Sequence, residues 1–284
     1  MFGADTLNSN NLCVVAVPPA CSTGELIDFM SVDIPVPRQF ASTARLFATQ
    51  DFLRLRRGHV GVVGLGGVGS WAAEALVRSG VGRVTLVDMD HVAESNLNRQ
   101  VQATHSSLGV EKGRALAARL ADIAPGCGVT VIDEFLTPEN VQRILLDDQA
   151  EEGHTVWIDA TDDLAAKRSM AVFMANSKRL KDLVVSGGAG GKTDPTRVEA
   201  SDLSESTHDA LLSTLRYDLR KYCGFPRQGK MKIQTVFSRQ MTIKIDDCDP
   251  SAKLSCAGYG SMVTVTASMG MAVAYLAISR IIES

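Results

Sequence analysis

The sequence lacks paired cysteines. Its six cysteines stand singly, at positions 13, 21, 127, 223, 248 and 256, and no CxxC pair occurs. This excludes a zinc ribbon and a disulfide-stapled scaffold, and it favours a protein of the reducing cytoplasm.

The sequence also lacks an excess of either charge. Lysine plus arginine number 29 and aspartate plus glutamate 32, so the formal net charge is −3. A protein that is basic throughout is therefore excluded, and any contact with nucleic acid must come from a local patch. With 45% hydrophobic and 21% charged residues in 284, the composition is that of a folded protein with a substantial core.

A secretory signal and a membrane span are both disfavoured. The apolar stretch 12–20 contains two prolines, and no basic residue precedes it. Residues 258–279 carry no charge over 22 positions, which is long enough to span a bilayer, but they are rich in Gly, Ser and Thr. We expect a buried helix there, at a sheet or subunit interface, with membrane association as the alternative.

Short β-branched runs alternate with amphipathic stretches through the middle of the chain. Strands are predicted at 59–64, 83–88, 128–133, 154–159 and 182–188, and helices at 70–80, 111–125, 138–148 and 162–180. This alternation predicts an α/β fold, Rossmann-like and doubly wound, with a mainly parallel sheet that gathers ligands at the carboxyl ends of its strands. Beyond residue 191 we expect a polar helix near 205–221, an antiparallel hairpin of 232–238 with 241–246, and an apolar C-terminal helix over 261–283.

A glycine-rich loop, Gly64-x-Gly66-Gly67-x-Gly69, follows the first of these strands and opens the first helix. Without side chains the backbone can approach a phosphate, and the helix N-terminus offers N–H donors. Asp88 ends the next strand, 19 residues after Gly69, where a carboxylate can accept ribose hydroxyls. The pattern predicts a nucleotide site without distinguishing NAD from ATP.

Cationic residues near this loop favour a triphosphate. Asn98, Arg99 and Gln100 lie in the loop beyond the second strand, and Lys112 opens a helix twelve residues later. Hydride transfer has no need for an arginine and a lysine here, whereas a triphosphate must have its charge neutralised. The alternative is a solvated loop with a surface lysine.

Carboxylates end the fourth predicted strand at the same edge of the sheet. They are Asp159, Asp162 and Asp163. A carboxylate there can bind Mg²⁺ and so assist a leaving pyrophosphate. The alternative is a simple helix N-cap.

Four features together resemble the adenylating domain shared by ubiquitin-activating enzymes and the bacterial adenylyltransferases of molybdopterin and thiamine sulfur carriers. They are VGLGGVGSWAAEAL (63–76), VDMDHVAESNLNRQ (87–100), Lys112 and DATDD (159–163). This match runs from about residue 41 to 191.

Three further stretches resemble one branch of that superfamily, the tRNA threonylcarbamoyladenosine dehydratases. They are STARLF (42–47), SGGAGGKTDPTRV (186–198) and SCAGYGSMVTVTASMG (255–270). The whole resemblance covers about residues 40–283. One departure is Lys192, where this branch often has an uncharged glutamine.

The resemblance implies ATP and Mg²⁺ as cofactors and a homodimer as the working form. The implied catalytic residues are Arg99, Lys112, Asp162 and Arg45. Asp162 would serve the metal, and Arg45 would reach across the dimer to the partner's ATP. The implied nucleotide-binding residues are Gly64, Gly66, Gly67, Val68, Gly69, Ser70, Asp88, Asp90, Asn98, Arg99, Gln100, Lys112 and Asp162.

The implied activity is dehydration of threonylcarbamoyladenosine next to the tRNA anticodon, through adenylation of its threonine carboxylate, to the cyclic nucleoside. The alternative is an adenylyltransferase and sulfurtransferase for a ubiquitin-like sulfur carrier, which the missing zinc cysteines disfavour. An NAD-dependent oxidoreductase is a third possibility that the glycine loop alone would allow. A cysteine desulfurase sulfur-relay system is a further partner suggested by the resemblance, and Cys256 is expected to be a small buried thiol rather than an acyl acceptor.

A tRNA substrate predicts a local basic patch, with the anticodon loop as the contact. The candidates are Arg216, Arg220, Lys221, Arg227, Lys230 and Lys232. Tyr217, Tyr222 and Phe225 are interleaved with them and are expected to stack on unpaired bases. The alternative is a solvated helix and loop. We therefore divide the chain into a loosely ordered extension (1–40), an ATP-binding adenylating domain (41–191) and a region for tRNA binding and dimerisation (192–284).

Overall fold

Two neighbouring strands, β2 (His59–Val63) and β5 (Thr155–Asp159), are buried at every position. Their side chains alternate between two separate apolar cores, so this part of the sheet is covered on both faces. The computed structural model describes residues 12–14, 36–147, 153–243 and 259–284.

The other strands are β1 (Leu12–Val14), β3 (Arg83–Val87), β4 (Gly128–Ile132), β6 (Leu183–Ser186), β7 (Val198–Asp202) and β8 (Gln234–Ser238). Within the described residues, the strands form one sheet in the order β1-β4-β3-β2-β5-β6-β8-β7. Neighbours from β4 to β8 pair in parallel, while β1 and β7 pair antiparallel at the two edges. The mainly parallel sheet predicted from the alternation is confirmed.

The helices are α1 (Ala41–Ala44), α2 (Thr49–Arg57), α3 (Gly69–Ser79), α4 (Lys112–Ile123), α5 (Val141–Asp147), α6 (Leu164–Asn176), α7 (Ala210–Tyr222) and α8 (Val263–Ile282). One face of the sheet packs against α2, α3, α4 and α8, and the other against α5, α6 and α7. Because helices cover both faces, the fold is doubly wound and Rossmann-like, as predicted.

The C-terminal helix α8 is buried along one side and lies against α3. A Cβ on Gly270 would come within 2.7 Å of the carbonyl oxygen of Val68 and 2.8 Å of Cβ of Trp71, so glycine permits this close approach. Among the described residues, α8 has the length and the apolar composition that crossing a membrane requires. Half of its most apolar stretch, however, is buried inside the protein. The predicted buried helix is confirmed.

The antiparallel partner of β8 differs from the one predicted. β8 pairs in parallel with β6 and antiparallel with β7, whereas the predicted hairpin would pair it with 241–246. Residues 241–243 form no strand, and 244–246 lie outside the described residues. The sequence of β7 is VEASD, which has no apolar run because an edge strand is only partly buried. Hydrophobic periodicity therefore did not predict this strand.

The sheet continues beyond residue 191, where the sequence placed a boundary between two regions, because β7 and β8 extend the sheet that β6 began. The polar helix expected near 205–221 is α7, which begins at Ala210 because the Asp209 side chain accepts the backbone N–H of Leu212 at 2.9 Å. Most of the extension predicted over residues 1–40 lies outside the described residues.

Candidate active site

The glycine loop between β2 and α3 lies at the carboxyl end of the parallel strands. Gly64 has a φ of +86°, and a Cβ there would come within 2.9 Å of the Ala160 backbone. A Cβ on Gly69 would stand 1.8 Å from the carbonyl oxygen of Gly64. At Gly66, by contrast, a Cβ would meet nothing within 4 Å. Two glycines therefore close the turn, and the third leaves its backbone open to a ligand.

Asp88 is buried beside this loop and connects it to the end of β3. Its Oδ2 accepts the N–H of Leu65 at 2.6 Å, and its Oδ1 accepts the N–H of Asp90 at 2.8 Å. A carboxylate has further lone pairs, so Asp88 can shape the loop and still accept a ribose hydroxyl. The predicted neighbours Asp88, Asp90 and the glycine loop are thus brought together.

Lys112 is the first residue of α4, as predicted, and its side chain is nearly buried. Its Nζ donates to Oδ2 of Asp90 at 2.7 Å, and its backbone N–H donates to the Asp90 carbonyl at 2.8 Å. The ammonium is therefore held next to Asp90 and, through it, Asp88.

Arg99 lies on the other side of the glycine loop. Its Cδ is 3.3 Å from where a Cβ on Gly67 would stand, and its carbonyl accepts Nε1 of Trp71 at 2.9 Å. Its Nη1 donates to the Ser95 carbonyl and to Oδ1 of Asn98, at 2.8 and 2.9 Å. The structure thus brings Arg99 to the glycine loop with its guanidinium partly exposed, and Asn98 contacts Arg99 and the Ser261 carbonyl.

Gln100 is buried and contacts the loop through a second amide that the sequence analysis missed. Nε2 of Gln102 donates to Oε1 of Gln100 at 3.3 Å and to the Leu65 carbonyl at 2.9 Å. Gln102 therefore holds the glycine loop through its hydrogen bond to the Leu65 carbonyl. Its spacing from other polar residues carried no signal that would have distinguished it from a surface amide.

The three aspartates at the end of β5 and in the turn after it have different roles. Asp163 caps α6, because its Oδ1 accepts the Ala166 N–H at 2.7 Å, so the N-cap alternative holds for this residue. Asp162 is exposed and makes no hydrogen bond or ion pair with another described residue. Asp159 points inward, to Lys167, which the sequence analysis also missed because a helical lysine reads as a surface residue.

A magnesium site fits this arrangement only in a limited form. The described part of the chain holds no cluster of three or more His, Cys, Asp or Glu side chains that would bind a metal. Mg²⁺ is commonly bound by one or two carboxylates together with substrate phosphates and waters. The exposed carboxylate of Asp162, beside an open glycine loop, matches that donor set.

Arg45 lies at the end of α1, exposed to solvent. Its guanidinium forms no hydrogen bond or ion pair with the described residues. Within one chain, no hydrogen bond or ion pair among the described residues connects Arg45 to the nucleotide site.

The basic patch consists of two arginines that donate to carbonyls of this chain and four exposed basic residues. Nη1 of Arg216 donates to the Leu203 carbonyl at 3.0 Å and to the carbonyl and hydroxyl oxygens of Ser206 at 2.9 Å, and burial lowers its pKa. Arg220 donates to the Pro226 and Gly229 carbonyls, each at 3.1 Å. Arg216 therefore holds the turn before α7, and Arg220 holds the loop after it.

Lys221 lies between two exposed tyrosines. Its Nζ is 5.0 Å from the ring centroids of both Tyr217 and Tyr222, and it donates to the Tyr217 hydroxyl at 2.6 Å. These hydroxyls, Tyr217 first, raise the pKa of Lys221. Phe225 is buried, so the expectation that it stacks on bases is wrong. Arg227, Lys230 and Lys232 are exposed on the adjoining loop.

Two other residues singled out in the sequence are structural or undescribed. Lys192 is buried, donates to the Ser238 and His208 carbonyls at 2.8 and 3.2 Å, and has a pKa lowered by burial, partly offset by Asp209. Cys256 lies outside the described residues. Burial raises the pKa of the Cys127 thiol to about 11, which leaves it unreactive.

Comparisons with known proteins agree with this geometry. The model of the ThiF family matches residues 38–283. A tRNA threonylcarbamoyladenosine dehydratase of Haemophilus influenzae is 38% identical over 252 residues, which are 87% of this chain and 92% of that protein.

Solved structures of the Escherichia coli tRNA N6-threonylcarbamoyladenosine dehydratase are similar along most of the chain. The complex with ATP has a TM-score of 0.74 and 35% identity, and the complex with AMP has a TM-score of 0.72 and 34% identity; each covers 86% of this chain and 92% of its own. An adenylyltransferase and sulfurtransferase of Drosophila sechellia matches less, with 31% identity over 43% of this chain and 25% of its own length.

Proposed function

The chain belongs to the ThiF family, and we propose that it catalyses the ATP-dependent dehydration of threonylcarbamoyladenosine beside the tRNA anticodon, which forms the cyclic nucleoside. The single observation that carries this proposal is that two cations are linked to the open glycine loop: Lys112 through Asp90 and Asp88, and Arg99 by direct approach to Gly67. The long matches to dehydratases, set against the short match to a sulfurtransferase, favour this activity over sulfur-carrier adenylation.

The first step joins two anions. An oxygen of the substrate's threonine carboxylate attacks the α-phosphorus of ATP, an acyl adenylate forms, and pyrophosphate leaves. No general base is needed because the carboxylate is already ionised near neutral pH. The site must instead stabilise negative charge, and we assign this to the Lys112 ammonium, the Arg99 guanidinium and the N–H groups of the glycine loop.

The second step closes a ring. A nitrogen of the ureido group attacks the activated carbonyl, loses its proton to solvent, and expels AMP, so that one water is removed overall and ATP yields AMP and pyrophosphate. Ring closure is intramolecular, and no cysteine nucleophile is required. In this scheme Asp88 holds the ribose of ATP, and Asp162 would hold Mg²⁺, which neutralises phosphate charge when bound.

The tRNA is assigned to the exposed half of the basic patch. Lys221, Arg227, Lys230 and Lys232 are exposed and can donate to phosphates, and Tyr217 and Tyr222 expose flat rings to unpaired bases. Arg216 and Arg220 contribute by shaping the turn before α7 and the loop after it, because their guanidinium groups already donate to the carbonyls of those two segments.

A homodimer belongs to the same proposal. The side of α8 opposite its buried face exposes Met271 and Tyr275, apolar surface that suits a symmetric contact. Arg45, exposed and without a partner in the described chain, is assigned to the partner's ATP. We assign the exposed apolar side of α8 to a dimer contact and not to a membrane. We therefore propose a cytoplasmic location. A cysteine desulfurase partner stays a prediction.

The decisive experiment uses tRNA nucleosides. Purified protein is incubated with ATP, Mg²⁺ and tRNA from a strain that carries only the open nucleoside, and the digest is analysed by mass spectrometry. We expect the mass of the nucleoside to fall by one water, with one AMP and one pyrophosphate per cyclisation. A thermal shift with ATP–Mg²⁺ but not with NAD is the companion result. Unchanged nucleoside with fully folded protein would reject the proposal.

A further inference from the structure

Lys167 and Asp159 form an ion pair that is completely buried. The Nζ of Lys167 lies 3.1 Å from Oδ1 of Asp159, and both side chains have zero exposure. The same Nζ donates to the Ser186 carbonyl at 2.8 Å. Because Asp159 ends β5 and Ser186 ends β6, one ammonium connects the carboxyl ends of two neighbouring strands.

Stability alone does not explain this pair. Two charges lose their hydration when they are buried, and apolar residues of similar volume often serve stability as well or better. The second oxygen of Asp159, Oδ2, is also buried and has no hydrogen-bond partner among the described residues, which adds to the cost. The pair therefore calls for a role in positioning.

The turn that leads to Asp162 is what Asp159 positions. Its Oδ1 accepts the N–H of Thr161 at 3.1 Å and the Thr161 hydroxyl at 2.8 Å. The same turn lies against the glycine loop, since a Cβ on Gly64 would be 2.9 Å from the Ala160 carbonyl and the Thr161 nitrogen. The distance between Asp162 and the phosphate loop thus depends on how Asp159 is held.

On its other side the ammonium is tied to the tRNA-facing half of the molecule. Ser186 leads into Gly187 and Gly188, and the N–H of Gly188 donates to Oδ2 of Asp209 at 2.8 Å. Asp209 in turn caps α7, which carries Lys221. A path of hydrogen bonds, completed by the backbone from Ser186 to Gly188, therefore runs from the Asp162 turn, through Lys167, to the start of α7.

We infer that Lys167 is a positioning residue for adenylation, which holds the Asp162 turn in register with the glycine loop and with the loop that leads to α7. The inference rests on the proposed function, and it assigns a role in the reaction to a residue that touches neither ATP nor tRNA.

The test removes both charges at once, since removing one would leave the other buried and unpaired. The variant is Lys167→Met with Asp159→Asn, which keeps an oxygen for Thr161. Lys181→Met, at an exposed lysine before β6, is the matched control. Three quantities are measured on full-length protein: the melting temperature, tRNA-dependent ATP–pyrophosphate exchange, and the extra thermal shift that Mg²⁺ adds to ATP.

We expect the double variant to fold and to bind tRNA, but to lose at least tenfold in the rate of exchange and to lose most of the Mg²⁺ increment. The control should match the parent protein. Adding Asp162→Ala to the double variant should cost less than it does in the parent, because both changes disable the same turn. A folded double variant with parental exchange and a parental Mg²⁺ increment would overturn the inference.

If the double variant does not fold, Thr161→Val decides, because it leaves both buried charges in place and removes the hydroxyl that donates to Asp159 at 2.8 Å and, at 3.5 Å, to the Asp163 carbonyl. A reduced Mg²⁺ increment supports the inference, and parental behaviour overturns it. Failure of the proposed function gives a different result: the parent protein itself would show no tRNA-dependent exchange, while its Mg²⁺-dependent ATP binding would still test Lys167.

Discussion

The Nζ of Lys112 lies 2.7 Å from Oδ2 of Asp90, and their backbones are joined by a second hydrogen bond of 2.8 Å. The lysine side chain is 8% exposed, whereas that of Asp90 is 52% exposed. The Asp90 carboxylate therefore holds the ammonium from the side that faces solvent and keeps it close to the glycine loop. One of its three N–H groups goes to Asp90, which leaves two to donate to phosphate oxygens.

Lys112→Ala should leave the fold intact and nearly abolish adenylation. The loss of one cation aimed at the transferring phosphate costs roughly 3–4 kcal/mol of transition-state stabilisation, or about two to three orders of magnitude in rate. The measurement is tRNA-dependent ATP–pyrophosphate exchange, with the melting temperature as the check on folding. Near-normal exchange in a folded variant would contradict the assigned role.

Replacing Lys221, Arg227 and Lys230 together by Ala should weaken tRNA binding and flatten its salt dependence. Each lost phosphate contact removes about 0.7–0.9 from the slope of log affinity against log salt, so the slope should fall by about 2 to 3. Binding of ATP should not change. An unaltered slope would place the tRNA contact elsewhere.

Arg216→Ala is the contrasting variant within the same patch. It removes one donor from each of the Leu203 and Ser206 carbonyls and from the Ser206 hydroxyl, so we expect a loss of about 1–3 kcal/mol in the free energy of unfolding. The salt slope of tRNA binding should stay as in the parent protein. Chemical denaturation and a salt titration, performed on the same preparation, separate the two effects. A flattened slope without loss of stability would mean that Arg216 contacts phosphate directly.

The nucleotide half of the molecule could be predicted from the sequence because its signals are local. The fully buried run of β2, the glycines at fixed spacing and Asp88 at the end of the next strand each carry their own physical reason. The family resemblance added the roles of Arg99 and Lys112, which spacing alone left open.

The missed features depend on contacts between residues far apart in the chain. Lys167 lies in a helix and reads as solvent-exposed until β5 and β6 enclose it. Arg216 and Arg220 look like phosphate ligands until the carbonyls of the neighbouring loops are placed around them. The pairing of β8 with β7 rather than with the next stretch of chain is likewise a tertiary choice that no local pattern encodes.

Glu74 should make stability depend on pH in the acid range. Its carboxylate is nearly buried between Arg78 and Arg119, which joins α3 to α4. Burial raises its pKa, but hydrogen bonds from Arg119 and Arg78 outweigh burial, and the pKa lies below its ordinary value of 4.5. Because the folded-state pKa is the lower one, ionised Glu74 stabilises the fold above about pH 4.5, and this contribution is lost as the pH falls.

Glu74→Gln should therefore lower the free energy of unfolding at pH 7, by roughly 1–3 kcal/mol. The difference from the parent protein should shrink as the pH is lowered below the ordinary pKa. Denaturant titrations of both proteins at a series of pH values measure it. A difference that stays constant down to the acid limit would mean that the charge of Glu74 is not what stabilises the contact between α3 and α4.

The last prediction concerns assembly: Arg45 of one chain completes the ATP site of the other. An arginine can bridge two phosphate oxygens through its planar fork, and Arg45 has no partner within the described chain. Arg45→Ala and Asp162→Ala homodimers should each be inactive. After subunit exchange, a mixture should recover up to about a quarter of parental activity, because half of the dimers are mixed and each contains one intact site. Lys181→Met mixed with Arg45→Ala controls for dilution. If exchange is verified and no activity returns, Arg45 does not act across the dimer.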